Sequence, residues 1–287
     1  MSSIHYDPTR DALYHPEHRS TLLAQSQPAD STAMAVEAAR LAYLRFEEST
    51  VQRDALDKAL ALADYGPATP LIDVPSDGAG FATRHSSGTA LLAFRGTQAD
   101  QLIDLLTDAK VAQQPWSLGP GHVHSGFADS ALGLWPHVQQ WLTDNKVTSA
   151  TPLIICGHSL GAALATLLAL PCKAQRLITI GSPRVGDAQF CDALANAHPL
   201  TITRIVDCCD AVTRVPPQGL GFRHVGTPTY IDHAGSVSAN PPQSVIDHDR
   251  ELARTMYLTR YALVPGNVAV RELADHAPIN YARVFWP

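Results

Sequence analysis

The chain has 287 residues, 45% of them hydrophobic and 17% charged, enough for one large α/β domain with a full core. A net charge of −6 and the absence of any lysine- or arginine-rich block exclude an electrostatic case for nucleic-acid binding. No apolar stretch reaches the length needed to span a bilayer, so no transmembrane segment is expected.

The start, Met1-Ser2-Ser3-Ile4-His5-Tyr6-Asp7, has no basic region followed by an apolar run. No cleavable signal peptide is visible, and the expectation is a cytoplasmic protein or one exported by a leaderless route. Residues 1–30 are polar and contain prolines, the pattern of an irregular arm. Helical patterns follow over 31–46 and 50–63, the second ending before Gly66-Pro67. This arm and its helices, 1–65, are expected to pack on one domain spanning 1–287, and no chemistry is assigned to them. Asp73 to Gly78 reads as a turn cluster. Residues 80–85 and 89–94 flank Ser86-Ser87-Gly88 as a hairpin.

Past Arg95-Gly96-Thr97, residues 99–109 form an amphipathic helical pattern. Ala99, Leu102, Ile103 and Leu106 recur on one face, with Asp100, Gln101, Asp104 and Asp108 on the other. After a loop over 114–121, residues 127–143 read as a helix that Pro136 bends or begins. Strands are then predicted at 152–157, 176–180 and 202–206, with helices after the first and over 188–197. Such alternation implies a mostly parallel sheet with helices on both faces.

Between the first of these strands and its helix lies Gly157-His158-Ser159-Leu160-Gly161. A G-x-S-x-G run entered by a strand and left by a helix is a nucleophile elbow. The sharp turn lifts the serine hydroxyl clear, and the following residue, Leu160, offers a backbone N–H to an oxyanion. A serine hydroxyl needs a general base, and the base needs an orienting acid. In this architecture they follow the serine in the order acid, then histidine. Strand 201–206 ends at Asp207-Cys208-Cys209-Asp210, and spacing leaves Asp207 and Asp210 open as the acid. His224 on an apparent strand, His233, His248 on a predicted helix, and His276 ahead of a short terminal helix are candidates for the base. His276 has the best setting.

The five cysteines, Cys156, Cys172, Cys191, Cys208 and Cys209, fit neither a disulfide framework nor a zinc pattern and read as buried thiols. His122 and His124 form an H-x-H pair with no third ligand in view, so no metal is assigned.

Over about residues 89–284 the chain resembles the class 3 lipases, the family of the secreted fungal triacylglycerol lipases. The resemblance rests on Ala93-Phe94-Arg95-Gly96-Thr97, Val123-His124-Ser125-Gly126-Phe127, the elbow and Gly181-Ser182-Pro183-Arg184-Val185-Gly186. It continues through Asp210-Ala211-Val212 with Pro216-Pro217, then 222–228 and Asp275-His276. It implies an α/β-hydrolase fold with Ser159, Asp210 and His276 as the catalytic residues. Asp207, His224 and His158 are then structural. The oxyanion hole would be Thr97, through its N–H and hydroxyl, with Leu160. The apolar face with Leu102, Ile103 and Leu106 would belong to a lid that makes transient contact with a lipid interface; the residues alone equally allow a helix packed on the core. The implied activity is ester hydrolysis on acylglycerols without a cofactor. Phospholipase A-type and feruloyl-type esterases share the scaffold. The rival from another class is a non-catalytic hydrolase-fold binding module.

Overall fold

A computed structural model describes residues 4–97 and 112–286. Four strands in the middle of the chain set the frame: β3 (Ala90–Phe94), β6 (Leu153–His158), β7 (Arg176–Ile180) and β8 (Thr201–Asp207) run parallel and adjacent. β6 is buried at every position, as a parallel strand covered on both faces must be. Its side chains divide by the two-residue period of a strand. Ile154 and Cys156 join one core cluster, Leu153 and Ile155 the other.

β1 (Thr69–Asp73) and β2 (Gly78–Arg84) extend the sheet antiparallel on the β3 side. On the other side β9 (Pro228–Ile231) continues parallel to β8, and β10 (Val237–Ala239) closes the edge antiparallel. The eight-stranded order is β1-β2-β3-β6-β7-β8-β9-β10. β4 (Gln113–Pro115) and β5 (His122–His124) form a separate antiparallel pair.

Helices cover both faces. α2 (Ser31–Leu41) lies across β6 and β7, with α3 (Thr50–Ala61) following it. Asp30 caps α2 by accepting the N–H groups of Thr32 and Ala33. On the opposite face lie α4 (Ser125–Asp144), which contains Pro136, and α5 (Leu160–Leu168). α6 (Ala188–Ala195) links β7 to β8. α7 (Gln243–Arg260), α8 (Arg271–Ala274) and α9 (Pro278–Ala282) end the chain. No helix among the described residues is long and apolar enough to cross a membrane.

Two expectations need correction. Residues 4–30 are not an irregular arm: α1 (Arg10–Tyr14) and two 3-10 turns bury Leu13, Leu22 and Leu23 in the cluster that also holds Trp286. Residues 222–225 are not a strand. Arg223 makes only an isolated bridge to Gly186, because Pro216, Pro217 and the turn at Gly221 leave no length for a ladder. The predicted helix over 99–109 lies outside the described residues.

Candidate active site

The site forms at the C-terminal ends of the parallel strands, where open α/β sheets gather their ligands. β6 runs into Ser159, whose backbone is held at φ 57°, ψ −126°. That is a strained left-sided conformation for a residue with a Cβ, of the kind that persists only when its surroundings enforce it. The enforcement is visible. The Ser159 N–H donates to Ile180 O at 3.0 Å, and α5 begins at the next residue. A Cβ on Gly157 would sit 2.2 Å from Gly161 O, and one on Gly161 would sit 2.1 Å from Phe94 O. The two glycines therefore let the helix fold back onto β6 and dock on the end of β3. Ser159 is 1% exposed, and its Oγ has no hydrogen-bond partner among the described residues.

Asp210 and His276 meet beyond the end of β8. His276 Nδ1 lies 2.8 Å from Asp210 Oδ2, with both side chains buried. A carboxylate can only accept, so Nδ1 carries the proton and Nε2 is left as the basic nitrogen. Two further donors fix the carboxylate: Tyr281 O–H to Oδ2 at 2.5 Å and Val212 N–H to Oδ1 at 2.8 Å. Burial, and then the Asp210 charge, push the Tyr281 phenol far above its ordinary value, so it stays a donor. Tyr281 carries no sequence cue of its own; it sits one turn into the short helix α9, and only the tertiary fold brings it to Asp210. The strand end of β7 joins the parts. A Cβ on Gly181 would lie 2.9 Å from Asp210 Oδ2 and 3.2 Å from His276 Cε1, one residue past the carbonyl that holds Ser159.

Asp207, the other candidate acid, does not bond to this pair through its carboxylate. Both of its carboxylate oxygens are buried without a hydrogen bond among the described residues, and burial, then the neighbouring Asp275, raise its carboxyl well above the usual range. His224 Nε2 donates to Thr213 O at 2.7 Å, and burial with the nearby Arg204 keeps the ring neutral. His233 pairs with Asp249, and His248 is exposed on α7.

The Arg95-Gly96-Thr97 loop abuts the serine. A Cβ on Gly96 would lie 2.8 Å from His158 O and 3.0 Å from Ser159 Cβ. Thr97 is half-buried directly after it. Leu160 occupies the first position of α5 and has a backbone N–H with no intrahelical partner. Leu102, Ile103 and Leu106 lie outside the described residues. His122 pairs with Asp187 at 3.2 Å, and His124 stacks on Phe127. All five cysteines are buried free thiols. Cys208, Cys209 and Asp275 come close enough together to suggest a metal centre. Their chemistry opposes it: Asp275 already accepts from Tyr6, Arg271 and the Cys209 N–H, and contact with Cys209 and burial hold the Cys208 thiol protonated.

The family described as lipase (class 3) matches residues 91–220, which include Ser159 and Asp210. Over that stretch the chain is similar to the class 3 lipases. His276 lies beyond the matched stretch, so its place rests on the geometry above. The chain is 30% identical to the lipase of Rhizopus niveus over 178 residues, covering 57% of this chain and 44% of that one. It is 28% identical over 195 residues to the secreted mono- and diacylglycerol lipase A of Penicillium cyclopium, covering 61% and 59%. It thus spans about half the length of the curated relatives it matches. Among solved structures, lipase II of Rhizopus niveus superposes with a TM-score of 0.58 at 29% identity, over 70% of this chain and 78% of that one. The Rhizomucor miehei triacylglyceride lipase gives 0.62 at 22% identity, over 85% and 95%, a likeness of α/β-hydrolase fold.

Proposed function

We propose that this chain is a class 3 lipase, a serine carboxylic-ester hydrolase that cleaves acylglycerols through an acyl-enzyme. The observation that carries the reading is the buried His276–Asp210 pair at 2.8 Å beside a serine held at an elbow. Ser159 Oγ attacks the ester carbonyl and His276 Nε2 takes its proton. Asp210 keeps the imidazole in the right tautomer and stabilises the imidazolium that forms. The Leu160 N–H, with the Thr97 N–H and hydroxyl, receives the oxyanion; one such donor is worth about 10²–10³ in turnover. His276 then protonates the leaving alcohol, and water releases the acyl group.

The acylglycerol class is supported by the relatives named as mono- and diacylglycerol lipases. The burial of Ser159 supports a substrate that reaches it only once covering chain moves aside, as contact with a lipid surface would achieve. The test is covalent labelling by a serine-directed phosphonate, with turnover on a panel of triglycerides, diglycerides and phospholipid vesicles. Wild-type protein is expected to label at Ser159 and to favour acylglycerols. Ser159→Ala should label nowhere and lose about 10³-fold or more in turnover with its fold intact. A folded Ser159→Ala protein with full activity would remove the proposal. Preferential turnover of phospholipid would replace the substrate class and leave the chemistry standing.

A further inference from the structure

The helical segment that precedes the sheet carries no chemistry in the sequence reading, yet it sends one polar side chain into the middle of the site. Tyr43, just past the end of α2, is buried with its hydroxyl 2.7 Å from His158 Nδ1. His158 Nε2 is in turn 2.9 Å from the backbone carbonyl of His276. Gly96 lies against the Tyr43 oxygen: a Cβ on Gly96 would fall only 2.1 Å from it.

The polarity of this chain of bonds is fixed. The His276 carbonyl can only accept, so His158 Nε2 must carry a proton. Burial, and then the His276 ring at 4.4 Å, hold the His158 imidazole well below its ordinary range, so it is neutral and Nδ1 is an acceptor. Tyr43 must therefore donate to Nδ1, while its oxygen rests against Gly96. Gly96 precedes Thr97, His158 precedes Ser159, and His276 is the base. One phenol thus ties three separate loops of the site together, and it does so in a buried setting where an unmade bond is costly.

We infer that Tyr43 is a positioning residue that, through His158, holds the His276 loop and the Gly96-Thr97 loop in register with Ser159. This rests on the hydrolase reading above. Tyr43 touches no reacting atom; it sets where the oxyanion donor and the base stand relative to the nucleophile. Misplacement there lowers the rate of the chemical step more than substrate binding.

The experiment uses full-length wild type, Tyr43→Phe, His158→Asn and the double variant. Active sites are counted with the phosphonate, so that any unfolded fraction drops out. Per titrated site, Tyr43→Phe should lower kcat on a soluble short-chain ester about 10-fold or more and leave KM within about 2-fold. The double variant should lose less than the product of the two single losses, because both side chains act on the same chain of bonds. In ¹⁵N spectra, wild-type His158 should be a single Nε2–H tautomer, and Tyr43→Phe should keep that tautomer but shift the Nδ1 resonance as its accepted hydrogen bond is lost, and shift the His276 ring resonances with it, which a tyrosine that did not act through His158 would not do. An unchanged kcat per site, losses that multiply in the double variant, or unaltered His158 and His276 resonances would each overturn the inference. Failure of wild type to react with the phosphonate would instead overturn the hydrolase reading, and the ¹⁵N measurement would still decide the role of Tyr43.

Discussion

At the scale of single residues, two aspartates three positions apart show how environment divides like groups. Asp210 has its carboxylate saturated by an imidazole, a phenol and a backbone N–H. Asp207 has none of these. Its neighbours are the carboxylates of Asp275 and Asp210, with Arg271 and Arg283 the nearest cations, and burial dominates in favour of the neutral acid. A carboxyl whose folded value is raised binds its proton more tightly in the native state. Its contribution to stability is complete below its unfolded value of about 3.9 and is lost as pH rises toward the folded value. Asp207→Asn cannot ionise and escapes that loss. The stability of the variant relative to wild type should therefore improve between about pH 4 and about pH 8, read from urea midpoints at both. A difference independent of pH would mean that Asp207 is ionised in the native protein. Sequence spacing cannot separate these two residues, since both sit just past a strand. The distinction lies in Tyr281 and His276, more than sixty positions away.

At the scale of elements, what was legible followed local pattern. β3, β6 and β7 are short, mostly apolar runs, β8 is rich in β-branched residues, and the glycine spacing placed the elbow between β6 and α5. β1, β9 and β10 were not legible. β1 contains Pro70, β9 begins at Pro228, and β10 is three exposed residues; each is a strand only because a neighbour pairs with it. α2 was legible as a helix, but its reason for being buried was not. Glu37 and Arg40, one turn apart, are both nearly inaccessible and bind each other through two 2.8 Å contacts. Thr21 O–H and Leu22 N–H donate to Glu37, while Arg40 donates to the carbonyls of Arg19 and Ser20. A periodicity argument would put these charges on the solvent face. Glu37→Ala leaves a buried guanidinium without its counter-charge and should cost about 3–5 kcal/mol, measured by urea denaturation. A loss below about 1 kcal/mol would mean that water replaces the carboxylate and that the first thirty residues sit more loosely on α2.

At the scale of the molecule, the segment before the sheet and the segment after it close the same side of the core. The Tyr6 hydroxyl donates to Asp275 at 2.7 Å, directly before His276, and its ring packs between Tyr257 and Tyr261. Asn280 accepts the Asp7 N–H and donates to the Asp7 carbonyl, so α9 is braced by the start of the chain. The site thus depends on residues that a search for catalytic motifs passes over. Removing residues 1–28 would uncover what Leu13, Leu22 and Leu23 cover and strip Glu37 and Arg40 of their outer partners. Three buried leucines at about 1.5–3 kcal/mol each amount to most of the about 5–15 kcal/mol by which a domain is usually stable. The shortened chain should therefore lose its cooperative thermal transition or melt far below the full-length protein, and its fraction of phosphonate-reactive sites should fall with it. A shortened chain that melts cooperatively at the full-length temperature would show that the sheet, α2 and the site stand without this support.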